Sequence, residues 1–112
     1  MKEPRFLTSR AQYTLVYQKG KAWASDLLVM RAMPNGLGLS RYGFSVTKRV
    51  GKAVQRNRVK RLLREIMRIQ SLRSGWDIVI IARSSAVESS YHELEGKVTG
   101  LLNRAGLLEA NG

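Results

Sequence analysis

The chain has 112 residues, a formal net charge of +12 and a sequence pI near 11.0. That length corresponds to one domain, and a 44% hydrophobic content is enough for a packed core, which excludes a disordered basic tail. With no cysteine, disulfides, thiolate chemistry and cysteine-based zinc sites are excluded. The longest apolar stretch, Ile78–Ala82, is strand-sized and far short of a membrane span.

The opening residues, MKEPRFLTSR, lack the apolar segment of a secretory signal, so a soluble cytoplasmic protein is expected. Ser9 followed by Gln12 is a capping box, and Gly20 is a stop signal. Tyr13, Val16 and Tyr17 share a face between them, which predicts a first helix over about 9–19. Leu27–Met33 is apolar apart from Arg31 and predicts a strand, closed by the turn residues Pro34-Asn35-Gly36. In a second strand Tyr42, Phe44 and Val46 alternate with Gly43, Ser45 and Thr47, and the two strands are expected to form a hairpin.

A basic helix follows, beginning between Gly51 and Val54 and ending before Gly75. Trp76–Arg83 (WDIVIIAR) is a continuous β-branched run, as in a strand covered on both faces. Ser90 with Glu93 is a second capping box. Leu94, Val98, Leu101, Leu102 and Ala105 mark the apolar stripe of a last helix, which Gly96 and Gly100 weaken by roughly 1 kcal/mol each relative to Ala. The expected architecture is α+β: a single domain, residues 1–112, in the order α-β-β-α-β-α, with a small central sheet packed by helices.

The stretch Lys48–Arg64 carries eight Lys or Arg in seventeen positions and no acid. At about 100° per residue, Asn57, Lys60, Arg61, Arg64 and Arg68 form one stripe. Val59, Leu62, Leu63 and Ile66 lie opposite, with Met67 at their flank. Surface helices normally mix signs. A stripe of one sign repels itself, so a polyanion is the expected partner, and nucleic acid is the leading candidate. An acidic membrane surface is disfavoured, because the apolar face is branched aliphatic and reads as core. Tyr13 and Tyr17 can stack on unpaired bases or simply pack against the sheet. The same choice applies to Phe44 and Trp23, while Trp76 reads as structural.

No autonomous catalytic site is visible. Protein-based phosphodiester hydrolysis needs metal-binding carboxylates or a histidine acid–base pair. The acids are Asp26, Asp77, Glu3, Glu65, Glu88, Glu93, Glu95 and Glu109, in no metal motif, and His92 is the only histidine. A DNA-binding regulator would need a helix-turn-helix pair ahead of the reading helix, whereas strands come first here.

Within Arg41–Glu65 (RYGFSVTKRVGKAVQRNRVKRLLRE) four motifs occur in order. They are a Gly-x-Ser-Val-x-Lys strand end, Val50-Gly51-Lys52-Ala53-Val54, the triplet Arg56-Asn57-Arg58, and Lys60-Arg61-Leu62. This combination resembles the signature of the bacterial ribonuclease P protein component. The resemblance runs from about Arg5 to Ala105 and includes the first helix, Lys19-Gly20-Lys21, the IVIIAR strand and the Tyr91–Leu102 helix.

The resemblance implies a small cofactor of a catalytic RNA, in a ribonucleoprotein endoribonuclease that removes the 5′ leader of precursor tRNA. The RNA, with Mg²⁺, carries out the hydrolysis. The protein's partners would be ribonuclease P RNA and precursor tRNA, with no obligate protein partner, no membrane, and neither metal nor cofactor on the isolated chain. Carried over position by position, Arg56, Asn57, Arg58, Lys60, Arg61 and Arg64 would contact the catalytic RNA. Lys48, Arg49 and Lys52 would lie near that contact, with Arg68 extending the stripe. A cleft between the first helix and the sheet would take the leader, with Tyr13 and Tyr17 at two aromatic positions and Val29, Arg31 and Phe44 as further candidates. The family also implies an unusual left-handed β-α-β crossover, against the general rule. A generic binder of structured RNA, such as a ribosomal protein, shares the charge and fold class but would not affect tRNA 5′ maturation.

Overall fold

A computed structural model describes residues 5–109, so the expected domain bounds, 1–112, and Glu3 extend outside the described residues. The elements in order are β1 (Arg5–Phe6), α1 (Arg10–Lys19), β2 (Lys21–Ala24), β3 (Leu28–Pro34), β4 (Arg41–Ser45), α2 (Ala53–Arg68), β5 (Trp76–Ala82), a 3-10 turn (Ser84–Glu88) and α3 (Tyr91–Ala105). They form one five-stranded sheet, ordered β1-β4-β5-β3-β2. The expected helices are all present, and the sheet gains two short strands, β1 and β2.

The expected hairpin between the 27–33 strand and the 41–47 strand does not form. β5 lies between them, antiparallel to β3 and parallel to β4. The reason is burial. Ile78, Val79 and Ile80 of β5 are all 0% exposed, so the strand needs cover on both faces and takes the central place. The hairpin is instead β2–β3, turned at Ser25, whose Oγ accepts from the N–H groups of Leu27 and Leu28 at 3.3 and 3.1 Å. The 35–40 connection is locked separately. Asn35 Oδ1 accepts from the Leu37 N–H at 2.7 Å, and Asn35 Nδ2 donates to Asp77 at 2.9 Å.

Alternation divides the sheet into two faces. Leu28, Met30, Ala32, Tyr42, Val46, Ile78, Ile80 and Ala82 join Val59, Leu63, Ile66 and Met67 of α2 and Leu94, Val98, Leu101 and Leu102 of α3 in the main core. On the other face α1 packs a smaller cluster of Val16, Leu7 and Val79, flanked by Tyr13, Met33 and Ile81. β4 and β5 are adjacent and parallel, joined through α2, so β4–α2–β5 is the β-α-β unit.

The helix ends follow the sequence signals. Ser9 Oγ accepts from the Gln12 N–H while Gln12 Oε1 accepts from the Ser9 N–H, both at 3.2 Å, and Ser90 and Glu93 make the same exchange at the start of α3. Gly20 ends α1 with φ −76°, so its role is close approach. A Cβ there would stand 2.5 Å from the Val16 carbonyl oxygen.

One ion pair ties the sheet to its loops. Arg41 Nε and Nη2 donate to the two carboxylate oxygens of Asp77 at 2.8 and 2.6 Å, across the register pair Arg41–Asp77. Asp77 is 2% exposed. Breaking a buried pair from one side strands the other charge, at about 3–5 kcal/mol. Because Arg41 keeps partial contact with water, Asp77→Ala should destabilise the fold by roughly 2–3 kcal/mol. A chemical denaturation midpoint unchanged from the parent would show that the pair contributes nothing.

Candidate nucleic-acid interface

α2 is amphipathic in an unusual sense. Val59, Leu63, Ile66 and Met67 are at most 1% exposed, while Asn57, Arg61, Arg64 and Arg68 are exposed and Lys60 is half-buried. Among the described residues the ion pairs are Arg41–Asp77 and Lys97–Asp26. No α2 cation therefore has a carboxylate partner, although Glu65 is within a turn of Arg61 and Arg68. Lys48, Arg49 and Lys52, all exposed, continue the ridge past the start of the helix. The structure thus brings together Lys48, Arg49 and Lys52 at one end and Lys60, Arg61, Arg64 and Arg68 along the length.

Two arginines of the set make intramolecular contacts. Arg58 donates to the carbonyls of Val87 at 3.4 Å and Ser89 at 2.9 Å, fastening α2 to the segment that leads into α3. Arg56 makes a longer 3.5 Å contact to the Gly51 carbonyl. Arg58 is a brace between helices, and the outward ridge is carried by the residues a turn further along.

Lys60 and Arg64 also reach the sheet edge, where with Phe6, Leu7, Tyr13, Gly43 and Phe44 they line a cleft of about 480 Å³. Gly43 makes this cleft possible, since a Cβ there would lie 2.0 Å from the Tyr13 hydroxyl and 2.5 Å from its ring carbon Cζ. Burial raises the Tyr13 phenol above its ordinary pKa, partly offset by a hydrogen bond from the Phe44 backbone. Tyr42 is likewise raised by burial, opposed by the positive charges of Arg64 and Arg68, which places those guanidinium groups near β4. Phe44 belongs to the α2 face, with its ring 5.7 Å from that of Tyr42. It therefore meets Tyr13 from the opposite side of the strand.

The other expected cleft residues spread along the α1 face. Ser45, Ile81 and Val29 lie abreast in register, each half-buried. α1 covers the neighbouring rung at Val79 and leaves this one open. Tyr17, 38% exposed, is the outer aromatic of α1. Arg31 donates to the carbonyls of Tyr17 at 2.7 Å and Gly20 at 3.0 Å, so it caps the negative end of α1. Ile81 carries the open rung into a basic recess of about 760 Å³ lined by Thr47, Lys48, Arg49, Ala82, Arg83 and Ser84. The sequence reading missed Phe6, Leu7, Arg83 and Ser84 as lining residues. The only available signal was the Arg that ends the IVIIAR strand.

The arrangement offers cations, aromatic rings and an open strip of sheet. Three carboxylates are committed elsewhere: Asp77 to Arg41 and Asn35, Asp26 to Lys97, and Glu93 to the α3 cap. Among the described residues no group of three or more His, Asp or Glu could hold a metal ion. What the surface can do chemically is bind phosphates and stack bases.

Known proteins resemble this chain in sequence and in fold. A family model described as Ribonuclease P matches residues 1–106. The ribonuclease P protein component of Dehalococcoides mccartyi is 48% identical over 108 residues, covering 96% of this chain and 90% of that one. That of Caldanaerobacter subterraneus is 43% identical over 105 residues, covering 92% and 90%. Among solved structures, the RNase P protein of Staphylococcus aureus superposes with a TM-score of 0.85 at 27% identity, covering 93% of this chain and 97% of its own. That of Thermotoga maritima gives 0.81 at 31% identity, covering 93% and 97%. A family model over residues 1–106 and relatives up to 48% identical, on a fold that solved ribonuclease P proteins share, place the chain in the ribonuclease P protein family, as a tRNA-processing subunit that partners ribonuclease P RNA in that ribonucleoprotein endoribonuclease.

Proposed function

We propose that the outward ridge, Lys48, Arg49, Lys52, Lys60, Arg61, Arg64 and Arg68 with Asn57, docks on ribonuclease P RNA, and that the 5′ leader of precursor tRNA runs along the α1 face. The observation that carries this reading is the continuity of the path. The aromatic cleft at Tyr13 adjoins the open Ser45–Ile81–Val29 rung, and Ile81 leads into the recess of Lys48, Arg49 and Arg83. A single strand could be held along that path by stacking at one end and phosphate contacts at the other. Tyr17 stands at its aromatic side, and Arg31 fixes the end of α1 that bears Tyr17.

Mg²⁺ belongs to the RNA in this reading. The carboxylates among the described residues are dispersed, with no cluster of three, and they do not fit a Mg²⁺ site. The protein's part is to lower electrostatic repulsion between two RNAs and to orient the leader. No helix of the described residues is long and apolar enough to cross a membrane, and a cytoplasmic setting accords with a tRNA substrate.

The direct test is reconstitution. Adding the chain to ribonuclease P RNA and precursor tRNA at low Mg²⁺ should stimulate leader removal, and no stimulation would end the reading. Arg61→Ala and Arg64→Ala should each weaken binding to the catalytic RNA and lessen the slope of log K against log salt by about 0.7–0.9. Arg58→Ala should instead lower folding stability by about 1–3 kcal/mol through its lost carbonyl contacts. A salt slope altered by Arg58→Ala as much as by Arg61→Ala, at unchanged stability, would contradict the brace. Tyr13→Ala should weaken precursor tRNA binding more than mature tRNA binding; equal losses would make Tyr13 a packing residue.

A further inference from the structure

A second cleft lies at the far corner of the sheet. Trp23 of β2 and Trp76 of β5 line it, with Lys19 and Lys21 among its lining residues and Ala32, Pro34 and Ala105 beside the rings. It sits at the start of β5 and the end of β3, where Pro34 pairs with Trp76. Lys48, Arg49 and Lys52 follow the opposite end of the parallel strand β4. From β4 to β2 is three strand spacings, about 14 Å. The cleft is therefore at the other sheet edge from the interface above, and at the other strand end from Lys48, Arg49 and Lys52.

Its chemistry is specific. The volume, about 250 Å³, is below the roughly 300–1,000 Å³ of drug-sized ligand sites, so it suits a single ring system. Both indoles are half-buried, leaving ring surface in contact with water. Ala32 and Ala105 are small, which is what leaves room between the rings and the end of α3. No acidic residue lines the cleft, and neither Lys19 nor Lys21 has a carboxylate partner among the described residues.

We propose that this cleft binds one nucleotide of a single-stranded RNA segment, its base against Trp23 and Trp76 and its phosphate at Lys19 and Lys21. Indole rings stack on any base, and unpaired lysines supply the charge a phosphate requires. The proposal does not depend on the leader path, since it concerns different residues on a different corner.

The test uses a built-in reporter. The chain has two tryptophans, and both are here, so its indole emission reads this cleft alone. Titrating the full chain with a five-nucleotide oligoadenylate should quench that emission saturably. Lys19→Glu with Lys21→Glu, both at exposed positions, should raise the midpoint about tenfold or more. Trp76→Leu should weaken oligonucleotide binding at this cleft, followed by the remaining Trp23 emission, by about 5- to 150-fold. Arg61→Ala with Arg64→Ala should leave the midpoint nearly in place. Emission that stays constant throughout the titration overturns the proposal, as does a midpoint that follows the α2 pair and ignores the lysine pair. Adenosine 5′-monophosphate quenching at the same midpoint as the pentanucleotide overturns the RNA assignment in favour of a free nucleotide.

Discussion

The ridge of α2 exists because burial on one side of the helix outweighs repulsion on the other. Like charges a turn apart on a helix cost only about 0.2–0.5 kcal/mol per pair. Each of Val59, Leu63, Ile66 and Met67, fully buried, contributes about 1.5–3 kcal/mol. Four such side chains hold the helix in place even with no polyanion present. The repulsion nonetheless remains in the free protein, and a polyanion lying on the ridge would relieve it. Arg58 strengthens the arrangement by turning one cation inward to the carbonyls at Val87 and Ser89. The ridge is thus fixed against α3 as well as against the sheet.

The rest of the interface depends on where the sheet is left uncovered. α2 and α3 close one face, but α1 is a single ten-residue helix and covers the other face only in part. Arg31 pins its end to β3, and Gly43 lets Tyr13 settle onto β4. With α1 fixed at both points, the Ser45–Ile81–Val29 rung stays open. The same sheet therefore presents phosphate-binding groups at one edge and an apolar strip across its centre, close enough for one strand to meet both.

What could be read from the sequence was local. The Ser9–Gln12 and Ser90–Glu93 boxes fix helix starts within a few residues, and the periodicity of Val59, Leu63 and Ile66 identifies the buried face of α2. Strand pairing was not legible. Pro34-Asn35-Gly36 is a turn, but a turn does not say which strand comes next to which, and the demand of β5 for cover on both faces decided the order. β1 has two residues and β2 four, too short to show alternation. Arg31, Arg41 and Arg58 look like every other cation in a chain of net charge +12. Only tertiary contacts show that they hold α1, Asp77 and α3. Phe44 was grouped with Tyr13 because both are aromatic, yet alternation along β4 puts its ring on the other face.

The separation between binding and cutting follows from the same accounting of charge. An acid on the outward face of α2 would neutralise the ridge, and a pair of acids able to hold a metal would need to stand free of Lys and Arg. Here the one acid of α2, Glu65, is exposed but makes no ion pair with the ridge, the buried aspartate serves Arg41, and Glu93 serves a helix start. Hydrogen-bonding side chains are few on the open rung at the middle of the proposed leader path. Ser45 is the one polar residue of the open rung, beside Ile81 and Val29. A strand lying there meets π-faces and positive charge, which every nucleotide satisfies about equally. On the proposed path, that rung would discriminate between leaders chiefly by how easily each unstacks and bends onto it, and much less by base edges.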